Sequence, residues 1–525
     1  MKKIYLYDTT LRDGAQTEGI SYSVNDKILI AKKLDELGMD FIEGGWPGSN
    51  PKDLEFFKKI KSVKFKNSKI VAFGSTRRKN KRASSDAILK ALVESKVKYV
   101  TIFGKSWDLH VRDVLKVALK DNLEMITDTI RFLRSKNITV FFDAEHFFDG
   151  YKHNPEYALD TIIAAQEAGA QSIVLCDTNG GTLTSQIIKI IGEVTPHIRK
   201  NLGIHVHNDA GMAVANTIAA VEAGCTHVQG TINGYGERCG NADLCAVIAC
   251  LKLKLNINCI SDRNLRELTE VSRYVSEVSN MKHLDNQPFV GNSAFAHKAG
   301  VHINAMLKNT FTYEHIKPDR VGNNRRFLAS ELSGKTSILF KAKELSFDLN
   351  KDDRHTKNLH KLIQRLEYEG YQFEAAQASF ELLIKKALKK YKKFFELDGF
   401  RVIVEKRQDD TLISEATVKI KVNNVSEHTA AEGDGPVNAL DSALRKALQD
   451  FYPTLGKMHL SDFKVRVLDS KAGTAAKVRV FIESQDEKSS WWTVGVSENI
   501  IEASWQALVD SIEYKLLKEK EADKN

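Results

Sequence analysis

Short apolar runs alternate with amphipathic stretches through residues 1–265. The runs Ile4–Thr9, Phe41–Gly45, Ile70–Gly74, Tyr99–Phe103, Thr139–Ala144, Ser172–Asp177, Gly203–Asn208 and His227–Asn233 read as strands, each followed by a helical stretch. From Asn25 to Leu37 the residues Ile28, Ile30, Ala31, Leu34 and Leu37 recur at roughly helical spacing, and Gly38 supplies the stop. Ser23 with Asp26 three positions on has the form of a capping box at the start of that helix. Eight βα units in about 250 residues predict a (β/α)8 TIM barrel. A doubly wound sheet is the competing α/β fold, but no G-x-G-x-x-G follows the first strand.

Beyond Asp262 the alternation gives way, to about Asn350, to helices and loops with polar punctuation, and residues 355–397 read as two helices, the second very basic. The last stretch holds an internal repeat. A shift of 64 places Thr429 on Thr493, Ala439 on Ala503, Ala443 on Ala507 and Leu444 on Leu508. In each copy alternating strand residues come before an amphipathic helix, and Pro436 stands where a helix tolerates a missing N–H. The expected organisation is a barrel over 1–265, helical linker subdomains over 266–397, and a duplicated βββα binding or dimerising domain over 398–525.

Composition changes this picture little. A net charge of +9 spread over 525 residues is mild, and favours an anionic ligand rather than a nucleic-acid footprint. No apolar run approaches the roughly 18 residues of a membrane span, and the N-terminus has no signal-like apolar region, so a cytoplasmic protein without membrane partners is expected. Six cysteines between Cys176 and Cys259 include no C-x-x-C, which indicates reduced thiols rather than a zinc cluster or disulfide framework.

In a barrel the reacting groups sit at the C-terminal ends of strands. Here that rule gathers Asp8, Arg12, Asp13, Glu43, Glu145, His146, Asp177, Thr178, His205, His207, Asn208, Asp209, Glu237, Arg238 and Asn241 at one mouth. His205 and His207, two apart on a strand, share a face, and with Asp13 they make a divalent-metal site; Asn241 is a weaker fourth ligand. Arg12 is either an ion-pair partner or an electrophilic group, and Glu43 either acts on substrate or simply holds Arg12. Glu145 ends an apolar strand and needs a partner. Thr178, in Asp177-Thr178-Asn179-Gly180-Gly181, is either a turn residue or a substrate contact.

Three segments, Asp8-Thr-Thr-Leu-Arg-Asp-Gly14, His205-Val-His-Asn-Asp209 and Gly234-Tyr-Gly-Glu-Arg-Cys-Gly-Asn241, resemble the signatures of the DRE-TIM metallolyase superfamily, within its isopropylmalate, homocitrate and citramalate synthase branch. His297-Lys-Ala-Gly-Val-His-Ile-Asn304 is similar to the linker segment that brings a catalytic histidine to the partner's barrel. Ile42–Pro51 resembles the bacterial citramalate synthase group. Two stretches depart from the branch pattern: Ala15-Gln16-Thr17-Glu18, where Glu-Gln is common, and Asn179-Gly180-Gly181 in place of Val-Gly. Both flank the expected 2-oxoacid pocket.

The resemblance implies condensation of acetyl-CoA with a small 2-oxoacid, foremost pyruvate, on a zinc or manganese ion, with cobalt or magnesium as alternatives. It implies metal ligands Asp13, His205, His207 and Asn241, and catalytic Arg12, Glu145 and His302, with His302 as base oriented by Glu145. Arg12, Thr178, Glu43 and Tyr313 would contact substrate. It makes the barrel over 1–265 catalytic and the repeat over 398–525 a regulatory, amino-acid-binding domain. It further implies a homodimer with shared active sites and isoleucine as feedback inhibitor of the C-terminal repeat. Synthases that use 2-oxoisovalerate or 2-oxoglutarate share these groups. A retro-aldol lyase would not need the repeat, and an amino-acid sensor alone would leave the acids and histidines of the mouth without a reason.

Overall fold

The computed structural model describes residues 3–327, 354–468, 476–487 and 489–522. The part of the expected loop-and-helix region that falls at 328–353 lies outside the described residues. Two compact units are present: residues 1–295 with 314–325, and residues 296–313 with 326–525.

The first unit is a closed parallel barrel of eight strands: β1 (Tyr5–Asp8), β2 (Phe41–Gly45), β3 (Lys69–Ser75), β4 (Tyr99–Lys105), β5 (Thr139–Glu145), β6 (Ser172–Asp177), β7 (Asn201–Val206) and β8 (His227–Gly230). Closure comes from β1 pairing with β8 in the register Tyr7 to Gln229. Outward-facing residues of the strands pack on surrounding helices in one large core that includes Leu6, Ile42, Ile102, Phe142, Ile173 and Ile204. Because side chains alternate along a strand, the inward set is different, and Tyr7, Val71 and Phe141 plug the barrel axis. The helix Val24–Leu37 carries the expected capping box of Ser23 and Asp26, and Gly38 ends it in the left-handed conformation at φ 98°.

Two strands end two or more residues earlier than the sequence predicts. β7 stops at Val206 because the chain then changes partner: Asn208 N–H donates to Gly240 O at 2.9 Å, and His207 forms an antiparallel bridge with Asn241. β8 stops at Gly230, after which Thr231 bridges Asp243 and Asn233 turns the chain at φ 63°. Both exchanges draw the 231–243 segment over the top of the barrel, beside the histidines.

In the second unit the duplicated pattern is explicit. The strands Glu396–Lys406, Leu412–Val422 and Val425–Gly433 form one antiparallel sheet followed by the helix Pro436–Leu448. His459–Val467, Val478–Gln485 and Ser490–Ser497 form another, followed by Ile500–Ala522. Equivalent threonines make equivalent bonds, Thr429 Oγ1 to Ala443 O and Thr493 Oγ1 to Ala507 O, each 2.8 Å. One apolar core, with Val418, Ile420, Leu440, Val480, Ile482 and Leu508, joins the two copies. The helices Arg354–Glu369 and Gln377–Ala387 pack against the second sheet through Val494 and Val496. Among the described residues, no helix is long and apolar enough to cross a membrane, and all six cysteines are free.

Candidate active site

A cavity of about 230 Å³ opens at the C-terminal end of the barrel strands, lined by Arg12, Asp13, Glu145, Thr178, His205 and His207 among others. Asp13 follows β1 on a tight turn in which Arg12 N–H and Gly14 N–H both donate to Thr9 O. That turn aims the Asp13 carboxylate inward. His205 Nε2 lies 3.5 Å and His207 Nε2 4.0 Å from Asp13 Oδ2. All three side chains are buried. Burial lowers both imidazoles, His207 to about 4, so each keeps a lone pair at neutral pH. Burial pushes the Asp13 carboxyl up, but Arg12, His205 and His207 outweigh it and hold it at about 2.

These donors fit a divalent cation. Ligand bonds of ~2.0–2.2 Å from nitrogen and oxygen place neighbouring donor atoms roughly 3–3.5 Å apart, longer than an ordinary hydrogen bond between them. Asp13 Oδ1 and Asn241 Oδ1 are buried without a hydrogen-bond partner, a costly state that a cation relieves. Asn241 itself is steered by its Nδ2–H bond to Tyr235 O at 3.1 Å and by the backbone bridge to His207.

Arg12 crosses the floor of the cavity. Its Nε donates to Glu43 Oε1 at 2.5 Å, its Nη1 lies 3.3 Å from Asp13 Oδ2, and its guanidinium covers the Phe73 ring at 3.8 Å. Burial opposes the guanidinium charge, but Glu43 and Asp13 more than restore it, and its pKa is raised. Glu43 is fully buried and is also held by the hydroxyls of Tyr7 and Thr9. It therefore positions Arg12 and is not among the residues lining the cavity. Glu145 ends β5 and pairs with Lys105 at the end of β4.

Thr178 Oγ1 accepts the His146 N–H at 2.9 Å, and Thr178 O accepts from Arg238, whose side chain is fixed by Asp209. Gly180, at φ +64°, completes this loop where a Cβ would come within 2.8 Å of backbone atoms of the 207–209 segment. Asp8 and Asp177, two acids of the expected mouth, instead hold loops together: each accepts from the backbone N–H and hydroxyl of a threonine, Thr10 and Thr182 respectively.

An aromatic wall was not apparent from the sequence. Trp46 meets Phe73 and Phe103 edge-on at 5.8 and 5.6 Å, and those two rings stack at 5.3 Å. The signal was present in the strand period, since Phe73 is two residues beyond Val71 and Phe103 two beyond Thr101, on the inward face.

Residues 3–275 match the HMGL-like family, 289–370 the homocitrate synthase post-HMGL domain-like family, and 374–516 the LeuA allosteric (dimerisation) domain. The (R)-citramalate synthase of Geobacter sulfurreducens is 55 % identical over 524 residues, covering 100 % of this chain and 99 % of that protein. The (R)-citramalate synthase of Aquifex aeolicus is also 55 % identical, with 99 % of each chain covered. The chain belongs to the citramalate synthase family. A 2-isopropylmalate synthase of Methanocaldococcus jannaschii stands further off, at 31 % identity over 98 % of this chain and 95 % of that one.

For a citramalate synthase family member, two expected residues fall in the second unit. His302 lies on the helix Gly300–Lys308, and its ring stacks on Tyr313 with centroids 4.0 Å apart and planes 26° from parallel. The stack holds the imidazole plane while leaving its edges available, and Tyr313 is 45 % exposed. The structure thus brings Asp13, His205, His207, Asn241, Arg12, Thr178 and Glu145 together in the barrel. It pairs His302 with Tyr313 separately.

Proposed function

We propose that the chain condenses acetyl-CoA with pyruvate and water to give (R)-citramalate and CoA, the entry into a threonine-independent route to isoleucine. The observation that carries this reading is the buried Asp13–His205–His207 triad beside Arg12, in a chain related over its full length to (R)-citramalate synthases.

Asp13, His205 and His207, with Asn241 beside them, would hold the metal; zinc or manganese suits two imidazoles and a carboxylate, with cobalt and magnesium as alternatives. When bound, it supplies Lewis-acid polarisation of the 2-oxo group. Arg12 presents a permanent positive charge where negative charge gathers on the substrate oxygen, and Glu43 fixes its direction. Thr178 spends its Oγ lone pair on the His146 N–H, which leaves its O–H to donate to the substrate carboxylate. Trp46, Phe73 and Phe103 exclude water and leave room for a side chain as small as a methyl group.

His302 takes the proton from the acetyl-CoA methyl group, oriented by Glu145 of the partner barrel and steadied by Tyr313. The active unit is accordingly a homodimer, in keeping with the LeuA dimerisation-domain match. That domain binds isoleucine as the feedback inhibitor, the amino acid to which citramalate leads.

The decisive experiment follows CoA release from acetyl-CoA with pyruvate, 2-oxobutyrate, 2-oxoisovalerate and 2-oxoglutarate in parallel, with and without a chelator. Turnover with pyruvate that the chelator abolishes is the expected result. Preference for 2-oxoisovalerate would move the chain to the isopropylmalate reaction. No release with any oxoacid from metal-replete protein would overturn the condensation itself.

A further inference from the structure

Inside the barrel, beneath the metal-ligand triad, three buried side chains form a directed hydrogen-bond chain. Gln229 on β8 donates from Nε2 to Asp143 Oδ1 on β5 at 3.0 Å, and its Oε1 lies 2.9 Å from His205 Nδ1 on β7. Gln229 is fully buried, Asp143 and His205 nearly so. The β7–β8 register, Ile204 to Val228, sets His205 beside Gln229.

The direction of the chain follows from the amide: Gln229 Nε2 donates to Asp143 Oδ1, so its carbonyl faces His205, and a carbonyl takes only a donor. His205 must therefore carry its proton on Nδ1. Its lone pair is left on Nε2, the atom 3.5 Å from Asp13 Oδ2. A reversed amide would donate to Nδ1, move the ring proton to Nε2 and block that nitrogen as a ligand.

We propose that Gln229 and Asp143 are positioning residues that fix the tautomer and ring plane of His205 for divalent-metal binding. An apolar residue would fill the same interior space without the cost of burying an amide, so the amide is retained for its orientation. This inference rests on the metal reading of the triad.

The test uses metal-stripped full-length protein and measures the dissociation constants of Mn²⁺ and Zn²⁺ by competition with a chromophoric chelator, alongside the melting temperature of each apoprotein. Gln229→Met should weaken binding about 10–100-fold, with a melting temperature near that of the parent. Gln229→Glu keeps an acceptor for Nδ1–H, with one proton shared between the new carboxyl and Asp143 in place of the amide N–H, and should bind both ions more tightly than Gln229→Met. Asp143→Ala, which frees the amide to turn, should also weaken binding, and it carries the test if Gln229→Met does not fold. Unchanged affinity in Gln229→Met, or in Asp143→Ala if the former is unfolded, would overturn the proposal. So would a Gln229→Glu protein as weak as Gln229→Met. A parent protein that binds neither ion would instead bring down the metal reading on which the inference stands.

Discussion

Arg12 and Glu43 are locked together beneath the cavity, with the guanidinium Nε donating to Glu43 Oε1 at 2.5 Å and its other edge turned to Asp13. A planar fork spans the two carboxylates, whereas an ammonium is a single point charge. Arg12→Lys should therefore keep the overall charge and lose the direction. Steady-state CoA release should fall roughly 10²–10³-fold in kcat, as for loss of one preorganised oxyanion donor. Metal content by elemental analysis should stay at the parent level. Equal loss of metal would mean that Arg12 acts mainly by holding Asp13.

The triad predicts one divalent ion per chain. His207→Ala removes a buried candidate ligand whose Nε2 faces Asp13. It should lower bound metal well below one equivalent and abolish turnover, with recovery only at high added metal. Stoichiometric metal in this variant would exclude His207 as a ligand.

Much of this site was legible in the chain because barrel chemistry is written at strand ends. The spacing of two between His205 and His207 puts both rings inside, and Arg12-Asp13 sits in the turn that follows a strand. Strand existence was legible for the same reason, since parallel strands read as apolar runs. The ends of β7 and β8 were not, because their last residues change partner to a segment that declares itself only in three dimensions. Gln229 was illegible for a related reason. Its role depends on Asp143, 86 residues earlier. Phe73 and Phe103 pass for core residues until the neighbouring strands place them on the cavity wall.

That wall predicts specificity. Phe103 stacks on Phe73 and meets Trp46 edge-on, so truncating it opens space in the cavity that these rings line. Phe103→Ala should shift the ratio of kcat/KM for 2-oxobutyrate over pyruvate upward by roughly 10–100-fold, the scale of a methylene-sized change in an apolar pocket. A fall in both values at constant ratio would assign the ring to packing alone.

The proposed sharing of active sites between subunits predicts complementation. Glu145→Ala removes the carboxylate of β5, and His302→Ala removes the imidazole that stacks on Tyr313. Each variant alone should be nearly inactive. Mixed after subunit exchange, a heterodimer would contain one site with both groups intact, and about a quarter of parental activity is expected, from half the molecules with one site in two. Absence of recovery, with exchange shown by differently tagged chains, would place both groups in one subunit.

Glu513 supplies a pH prediction for the C-terminal unit. It sits on the helix Ile500–Ala522, nearly fully buried, and burial raises its carboxyl from 4.5 to about 7, with Lys386 opposing only in part. The folded state thus binds this proton more tightly than the unfolded chain. Stability attributable to Glu513 is complete below about pH 4.5 and is lost as pH rises through about 7. The loss is on the order of 1–3 kcal/mol by pH 8. Glu513→Gln cannot ionise, so its denaturation midpoint should exceed the parent's at pH 8 and approach it at pH 5. Midpoints can be followed by fluorescence of Trp491 and Trp505, both in the core of this unit. A difference between the two proteins that stays constant from pH 5 to 8 would show that Glu513 does not titrate in this range.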